Sequence, residues 1–331
     1  MKKNFIILIS IIALLAGIVI YLSRPPVGIS KEIKWNAAFS KPFAIDMGLD
    51  WREAYIAILD DLKPEALRLP IYWQDVEPEP GKYKFDDYDW MVKEAEKRNI
   101  KLVLVIGQKL PRWPECHLPN WAVNLDGKNK QDSLLKLITE LVGRYKNSSN
   151  LWFWQVENEP FLPFGECVNY DGSFLDQEIE LVRREDPKHQ IIVTDSGELS
   201  IWFQAAKRAD VFGTTMYRVV YKEPIGYFKY PLPPKFFWFK ANLVHLFYPG
   251  KLIIVSELQA EPWGPKLIYD ISLAEQEKSM NLKQFRDNIE YARAVGFPEV
   301  YLWGAEWWYW MRTKHQRPEF WQEAKLLINQ R

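Results

Sequence analysis

The stretch WQVENEP, Trp154–Pro160, ends an apolar run on two carboxylates, Glu157 and Glu159, with the amide of Asn158 between them. An ionised carboxylate is costly to bury alone, so such a run finishes either in a polar cleft or on a working acid. A second apolar run, KLIIVSE, residues 251–257, ends in the same way on Glu257. Two carboxyl groups opposed across a mouth lined with tryptophan can split a glycosidic bond. One protonates the leaving oxygen while the other attacks the anomeric carbon or activates water. A separation of about 5 Å goes with retention of configuration, and one beyond about 6.5 Å with inversion.

Other chemistries lose ground on composition. Lys and Arg number 43, as do Asp and Glu, and the formal charge is zero, so the chain has no electrostatic footprint for nucleic acid. Its four histidines form no HExxH pattern and its two cysteines, Cys116 and Cys167, no CxxC, so no metal or other cofactor is expected. The two cysteines either pair as a disulfide or stay as free thiols. Aromatic residues make up 15% of the chain, including 16 Trp, which suits flat, hydroxyl-bearing ligands as well as a Trp-rich core.

Eight short apolar runs alternate with stretches of helical period. They cover residues 43–48, 66–73, 101–107, 151–157, 190–195, 210–217, 251–257 and 299–304. Strands alternating with helices make a parallel sheet, and eight is the number that closes a (β/α)8 TIM barrel. An open doubly wound sheet would want a glycine-rich turn after its first strand, and MGLDWREA has no GxGxxG. In a barrel, the working residues sit at the C-terminal ends of the strands. Those ends carry Asp46, Arg68 with Tyr72 and Trp73, Gln108, Asn158 with Glu159, Asp195, Tyr217, Glu257 and Trp303. Glu157 is either a structural acid inside the barrel or a second contact to the site. Asp195 and Glu198 either bind sugar hydroxyls or are solvated loop acids. His117 bonds a sugar or lies at the surface, and Trp73, Trp113, Trp263, Trp307 and Trp308 are sugar platforms or core residues.

From about residue 36 to 329 the chain resembles the clan A glycoside hydrolases, the (β/α)8 superfamily that includes families 5, 35, 39 and 42. The likeness rests on Asn158-Glu159 after strand four, Glu257 in IIVSE after strand seven, and LRLPIYWQDVEPEPGKYKFDDYDWMVKEA around strand two. The resemblance implies a retaining hydrolase of β-linked glycans. It casts Glu159 as acid/base, Glu257 as nucleophile and Asn158 as the contact to the sugar 2-hydroxyl. It likewise sets Arg68 beneath the nucleophile, Tyr217 as its hydrogen-bond partner and Trp303 as the strand-eight platform. Thr215 stands where family 5 members often carry histidine, QVENE is closer to families 35 and 42, and Pro160 to families 5 and 39. The sequence therefore leaves the family open. A glycan-binding barrel without turnover and a transglycosylase with the same residues are the alternatives.

The apolar run Phe5–Leu22 follows Lys2 and Lys3 and reaches the length of a membrane span. The expected organisation is a membrane anchor over 1–23, a linker over 24–35 and the catalytic barrel over 36–331, held outside the cytoplasm with carbohydrate as its partner. The aromatic stretch 221–240, with four prolines, reads as a long sixth loop leading into a helix, either a lid or a membrane belt. Oligomeric state is not legible.

Overall fold

The computed structural model describes residues 16–167 and 171–330. Eight parallel strands close a barrel: β1 (Lys34–Ala38), β2 (Ala66–Pro70), β3 (Lys101–Ile106), β4 (Leu151–Val156), β5 (Gln190–Asp195), β6 (Val211–Met216), β7 (Leu252–Gln259) and β8 (Glu299–Trp303). Closure is made by β1, which pairs with β8 from Lys34↔Glu299 to Ala37↔Leu302 and with β2 at Ala37↔Leu67.

Side chains alternate between two layers, as the period of two requires. Ala66, Val103, Phe153, Ile192, Val211, Ile254 and Tyr301 fill the lower lumen. Leu67, Leu69, Leu102, Leu104, Ile106, Trp154 and Val156 point outward into the larger core beneath the helices. Each fully buried aliphatic side chain there contributes about 1.5–3 kcal/mol. The helices use their polar ends as punctuation: Asp126 caps Gly127–Tyr145 and Asp171 caps Gly172–Glu185.

Two expectations are corrected. Residues 43–48 form no strand; Lys41–Asp46 is a helix with proline in its first turn, and Asp46 sits exposed at the end of that helix rather than at a strand end. The first strand is KWNAA, partly inside the expected linker. A short buried helix cannot be told from a strand by periodicity, and two alanines give β1 little strand propensity. Residues 272–296 carry two helices, Leu273–Gln276 and Leu282–Val295, because Ser272 and Asn281 each cap a start; the second ends at Gly296, φ +76°.

The 221–240 stretch holds a hairpin, Val219–Lys222 with Gly226–Lys229, followed by the helix Pro234–Phe247. Cys116 and Cys167 form a disulfide. Most of the apolar run Phe5–Leu22 lies outside the described residues, and among those described no helix is long and apolar enough to cross a membrane. At the end of the run the chain is seated on the barrel: Leu22 is buried, and Asn242 Nδ2 donates to the Leu22 and Arg24 carbonyls at 2.9 and 2.8 Å.

Candidate active site

Past Val156 the β4 backbone leaves strand geometry, with φ of +58° at Glu157 and +44° at Glu159. Left-handed backbone at a residue other than glycine costs on the order of 1–3 kcal/mol and persists only where the surroundings enforce it. Here they do. The Glu157 carboxylate accepts the backbone N–H groups of Gln108 (2.8 Å) and Lys109 (2.6 Å). The Asn158 N–H donates to the Lys109 carbonyl at 2.6 Å and the Glu159 N–H to Thr194 Oγ1 at 2.9 Å. Glycine is required at 107, where a Cβ would lie 2.2 Å from Glu157 Oε1. Glu157 is thus the bracket that bends the chain, and the extended period does not reach Glu159.

That bend places Asn158 and Glu159 at the mouth with residues from β2, β6 and β7. Arg68 reaches across the lumen: Nε donates to Gln155 Oε1 (2.8 Å), Nη1 to Glu257 Oε1 (2.7 Å) and Nη2 to Asn158 Oδ1 (2.9 Å). Tyr217 Oη donates to the other oxygen of Glu257 at 2.8 Å. Glu159 Oε1 accepts from Thr215 Oγ1 at 2.9 Å. Asn158 Oδ1 also accepts from Thr194 and Gln155, at 3.2 and 3.4 Å, which fixes the amide so that its buried Nδ2 is left without a partner. An amide donor so placed is ready for a hydroxyl.

The two carboxyl groups are held differently. Glu257 lies between a guanidinium and a phenol. Burial, then the charges of Glu115 and Glu257, push the Glu159 carboxyl well above the carboxylate range, against the opposing pull of Lys109. The two carboxyl groups therefore stand in unlike settings, one held by a guanidinium and a phenol, the other buried among like charges.

The sequence-predicted residues Arg68, Asn158, Glu159, Tyr217 and Glu257 come together, and Trp303 joins them with its ring 5.6 Å from the Arg68 guanidinium. Trp73 does not. It is fully buried in the outer core, its Nε1 on Glu77 at 2.7 Å and its ring edge-on to Trp121, so it offers no face to a sugar. Trp307 and Trp308 are core residues too, bonded to Gln276 and the Ala260 carbonyl. Exposed Trp113 instead begins a row through Phe164 and Trp263 to Tyr217, with centroids 6.0, 5.6 and 5.2 Å apart.

His117 is buried rather than superficial, and burial lowers it to about 4. Asp195 is buried as well, and Glu198, which accepts the Tyr217 N–H at 3.0 Å, is pushed up to about 8 by burial. Sequence reading missed Gln155, Thr194 and the Lys109–Glu115 ion pair, and singled out Thr215 without its contact to Glu159. Gln155, Thr194 and Thr215 carried one signal, a polar side chain inside a run that is otherwise a buried strand. Among the described residues no group of three or more His, Cys, Asp and Glu side chains is arranged to hold a metal ion.

A closed parallel barrel with this polar cluster at its C-terminal mouth is that of a glycosidase, and comparison with known proteins narrows the class. The cellulase model, glycosyl hydrolase family 5, matches residues 37–226, more than half of the sequence, and the chain belongs to that family. Thr215 in place of histidine is a departure within it. An endo-1,4-beta-xylanase 2 from Claviceps purpurea is 27% identical over 126 residues, which cover 36% of this chain and only 37% of that protein. Xylanase 10B from Thermotoga maritima superposes with a TM-score of 0.56 at 16% identity, over 91% of this chain and 97% of that one. A beta-galactosidase from the psychrophilic Marinomonas ef1 does so with a TM-score of 0.59 at 13% identity, over 89% and 59%. At such identities the solved structures speak for the fold alone.

Proposed function

We propose that this protein is a retaining glycosidase of β-linked poly- or oligosaccharides, with Glu257 as nucleophile and Glu159 as acid/base. The observation that carries the reading is the unequal setting of the two carboxyls: Glu257 between Arg68 and Tyr217, and Glu159 buried among other carboxyls that, with burial, raise its proton affinity. In the first step a Glu257 oxygen attacks the anomeric carbon as the glycosidic C–O bond breaks, and the Glu159 proton passes to the departing oxygen. The product is a glycosyl ester on Glu257 and a free alcohol. Glu159, now ionised, takes a proton from water, the water oxygen attacks the anomeric carbon, and Glu257 is released as carboxylate. The unpartnered Nδ2 of Asn158 is the donor for the sugar 2-hydroxyl, and Trp303 and the row from Trp113 to Tyr217 offer ring faces. The family match and the xylanase relative favour a plant-type β-1,4 backbone such as glucan or xylan.

The test is proton NMR of early product from an aryl β-glycoside. The β-anomer appearing first supports double displacement, and the α-anomer first overturns it. Glu257→Ala rescued by azide to an α-glycosyl azide assigns the nucleophile. A sugar that binds without turnover would make the barrel a glycan reader, and transfer to added acceptors would make it a transglycosylase.

We also propose that the run Phe5–Leu22 tethers the barrel to a membrane, with the catalytic domain on the extracytoplasmic side. The length and apolarity of the run support this. Fractionation of cells expressing the full chain checks it: activity only in the released medium would refute the tether.

A further inference from the structure

Behind the mouth a lysine is buried against backbone. Lys240, on the helix Pro234–Phe247, is 5% exposed. Its Nζ donates to the Gly197 carbonyl at 2.6 Å, with the Ser196 carbonyl at 3.5 Å and the Trp202 ring centroid 4.2 Å away. An ammonium is costly to bury unless its hydrogen bonds are made, and these bonds hold the turn after β5. The same turn is pinned by Trp202 Nε1, which donates to the Ser196 carbonyl at 2.9 Å. Gly197 is pressed against the end of β6: a Cβ there would lie 2.0 Å from the Thr215 carbonyl, so any other residue would displace that strand end.

Two unbroken lines of hydrogen bonds run from this turn to the two carboxyls. In the first, the Gly197 N–H donates to Thr215 Oγ1 at 3.2 Å, and Thr215 Oγ1 donates to Glu159 Oε1 at 2.9 Å. In the second, Glu198 Oε1 accepts the Tyr217 N–H at 3.0 Å, and Tyr217 Oη donates to Glu257 Oε2 at 2.8 Å. A hydroxyl has one proton and two lone pairs. The Gly197 N–H occupies a lone pair of Thr215, and the hydroxyl proton is directed at Glu159 Oε1. A proton carried by Glu159 itself then belongs on Oε2.

We propose that Gly197 and Glu198, locked by Lys240, are positioning residues that set both carboxyls from one turn. Gly197 aims the Thr215 hydroxyl so that Oε2 is the oxygen of Glu159 that delivers the proton, and Glu198 fixes Tyr217 so that its phenol stays on Glu257. This rests on the glycosidase reading and deepens it. In the first step the Oε2–H bond of Glu159 breaks, the proton joins the leaving oxygen as the glycosidic C–O bond parts, and Thr215 keeps its own proton. Its donation to Oε1 stabilises the carboxylate that forms. The sequence hides the device, because Ser-Gly-Glu after β5 reads as an ordinary loop and Lys240 lies 43 positions beyond Gly197.

The experiment compares kcat/KM on two aryl β-glycosides of one sugar, a dinitrophenyl glycoside whose leaving group needs no proton and a phenyl glycoside whose leaving group does. Alongside it, NMR of ¹³C-carboxyl-labelled glutamate follows Glu159 and Glu257, assigned with Glu159→Gln and Glu257→Gln. Glu198→Ala leaves the Tyr217 N–H without its acceptor. It lowers kcat/KM about tenfold on both substrates and moves the Glu257 resonance but not that of Glu159. Glu198→Gln, which keeps an acceptor oxygen, restores both readings. Lys240→Met frees the whole turn, moves both resonances and costs about tenfold more on the phenyl than on the dinitrophenyl glycoside. In a Thr215→Val background that extra cost vanishes, because the line to Glu159 is already cut. General loosening of the fold would lower both substrates alike and would not be rescued by glutamine. Equal losses in Lys240→Met, or an unmoved Glu257 resonance in Glu198→Ala, overturn the proposal. If that happens while Glu159→Gln and Glu257→Gln still abolish turnover, the glycosidase reading stands. If the wild type cleaves neither glycoside, that reading falls, and the resonances still decide which carboxyl each residue holds. Should Lys240→Met fail to fold, the two Glu198 variants decide alone.

Discussion

The barrel buries carboxyl groups at both ends, and the two ends treat them differently. At the N-terminal floor, Glu299 opens β8 opposite Lys34, accepts from Tyr301 Oη and, at 3.4 Å, from Asn36 Nδ2. Burial pushes it up to about 7. At the mouth, Glu159 is also buried and also raised, yet it stands on left-handed backbone beside an amide with an unsatisfied donor. A raised proton affinity is therefore not what marks the working end. Stored backbone strain and a polar atom left waiting for a partner are.

Substitution at each end is the most direct way to break that contrast. Glu159→Gln and Glu257→Gln should each lower kcat on a natural polysaccharide by about 10⁴-fold or more, whereas Glu299→Gln should leave turnover at the wild-type level; comparable losses at both ends would dissolve the distinction. Next in size is Arg68→Met, which leaves Glu257 buried without its guanidinium. Removing one partner of a buried pair costs about 3–5 kcal/mol, to be read from urea unfolding at pH 7; an unchanged midpoint would mean that Arg68 holds no charge in place.

Thr215→Val removes a donor to Glu159 and should cost about tenfold in kcat/KM, a little over 1 kcal/mol. Because that donor favours the ionised form, its loss should move the alkaline limb of the pH profile upward. A downward shift would show that the hydroxyl serves Glu159 in another way.

The smallest effect sharpens the floor. Glu299 has a folded value near 7 against an ordinary 4.5, so the folded state holds more protons than the unfolded chain between those values. Stability from this group is fully present below about pH 4.5 and is lost as pH rises through 7, at no more than roughly 1.4 kcal/mol for each pH unit crossed. Thermal melts of wild type and Glu299→Gln should therefore diverge from about pH 5 to about pH 8, with the wild type losing ground; parallel curves would show that Glu299 keeps an ordinary proton affinity in the folded barrel.

Much of this was legible in the chain. Seven of the eight strands announce themselves as branched, apolar runs, and Asn158, Glu159, Tyr217 and Glu257 fall at or beside their ends as the barrel rule expects. The first strand was hidden because KWNAA lacks branched residues, while the buried helix around Phe43 imitates one. Trp73 misled because its position, just past β2, is right while its rotamer turns the ring into the core. Glu115 was invisible because its partner, Lys109, lies in the same loop, and no local pattern says that a loop will fold its charges inward.

The bond between Cys116 and Cys167 turns the segment between them into a covalent ring 51 residues in sequence separation. That ring encloses the helix Gly127–Tyr145, all of β4, and both Asn158 and Glu159. A single cut by a protease anywhere inside it would sever the peptide chain without parting the halves. The segment that carries Asn158 and Glu159 would stay fastened to the barrel after a nick that would detach an unlinked loop.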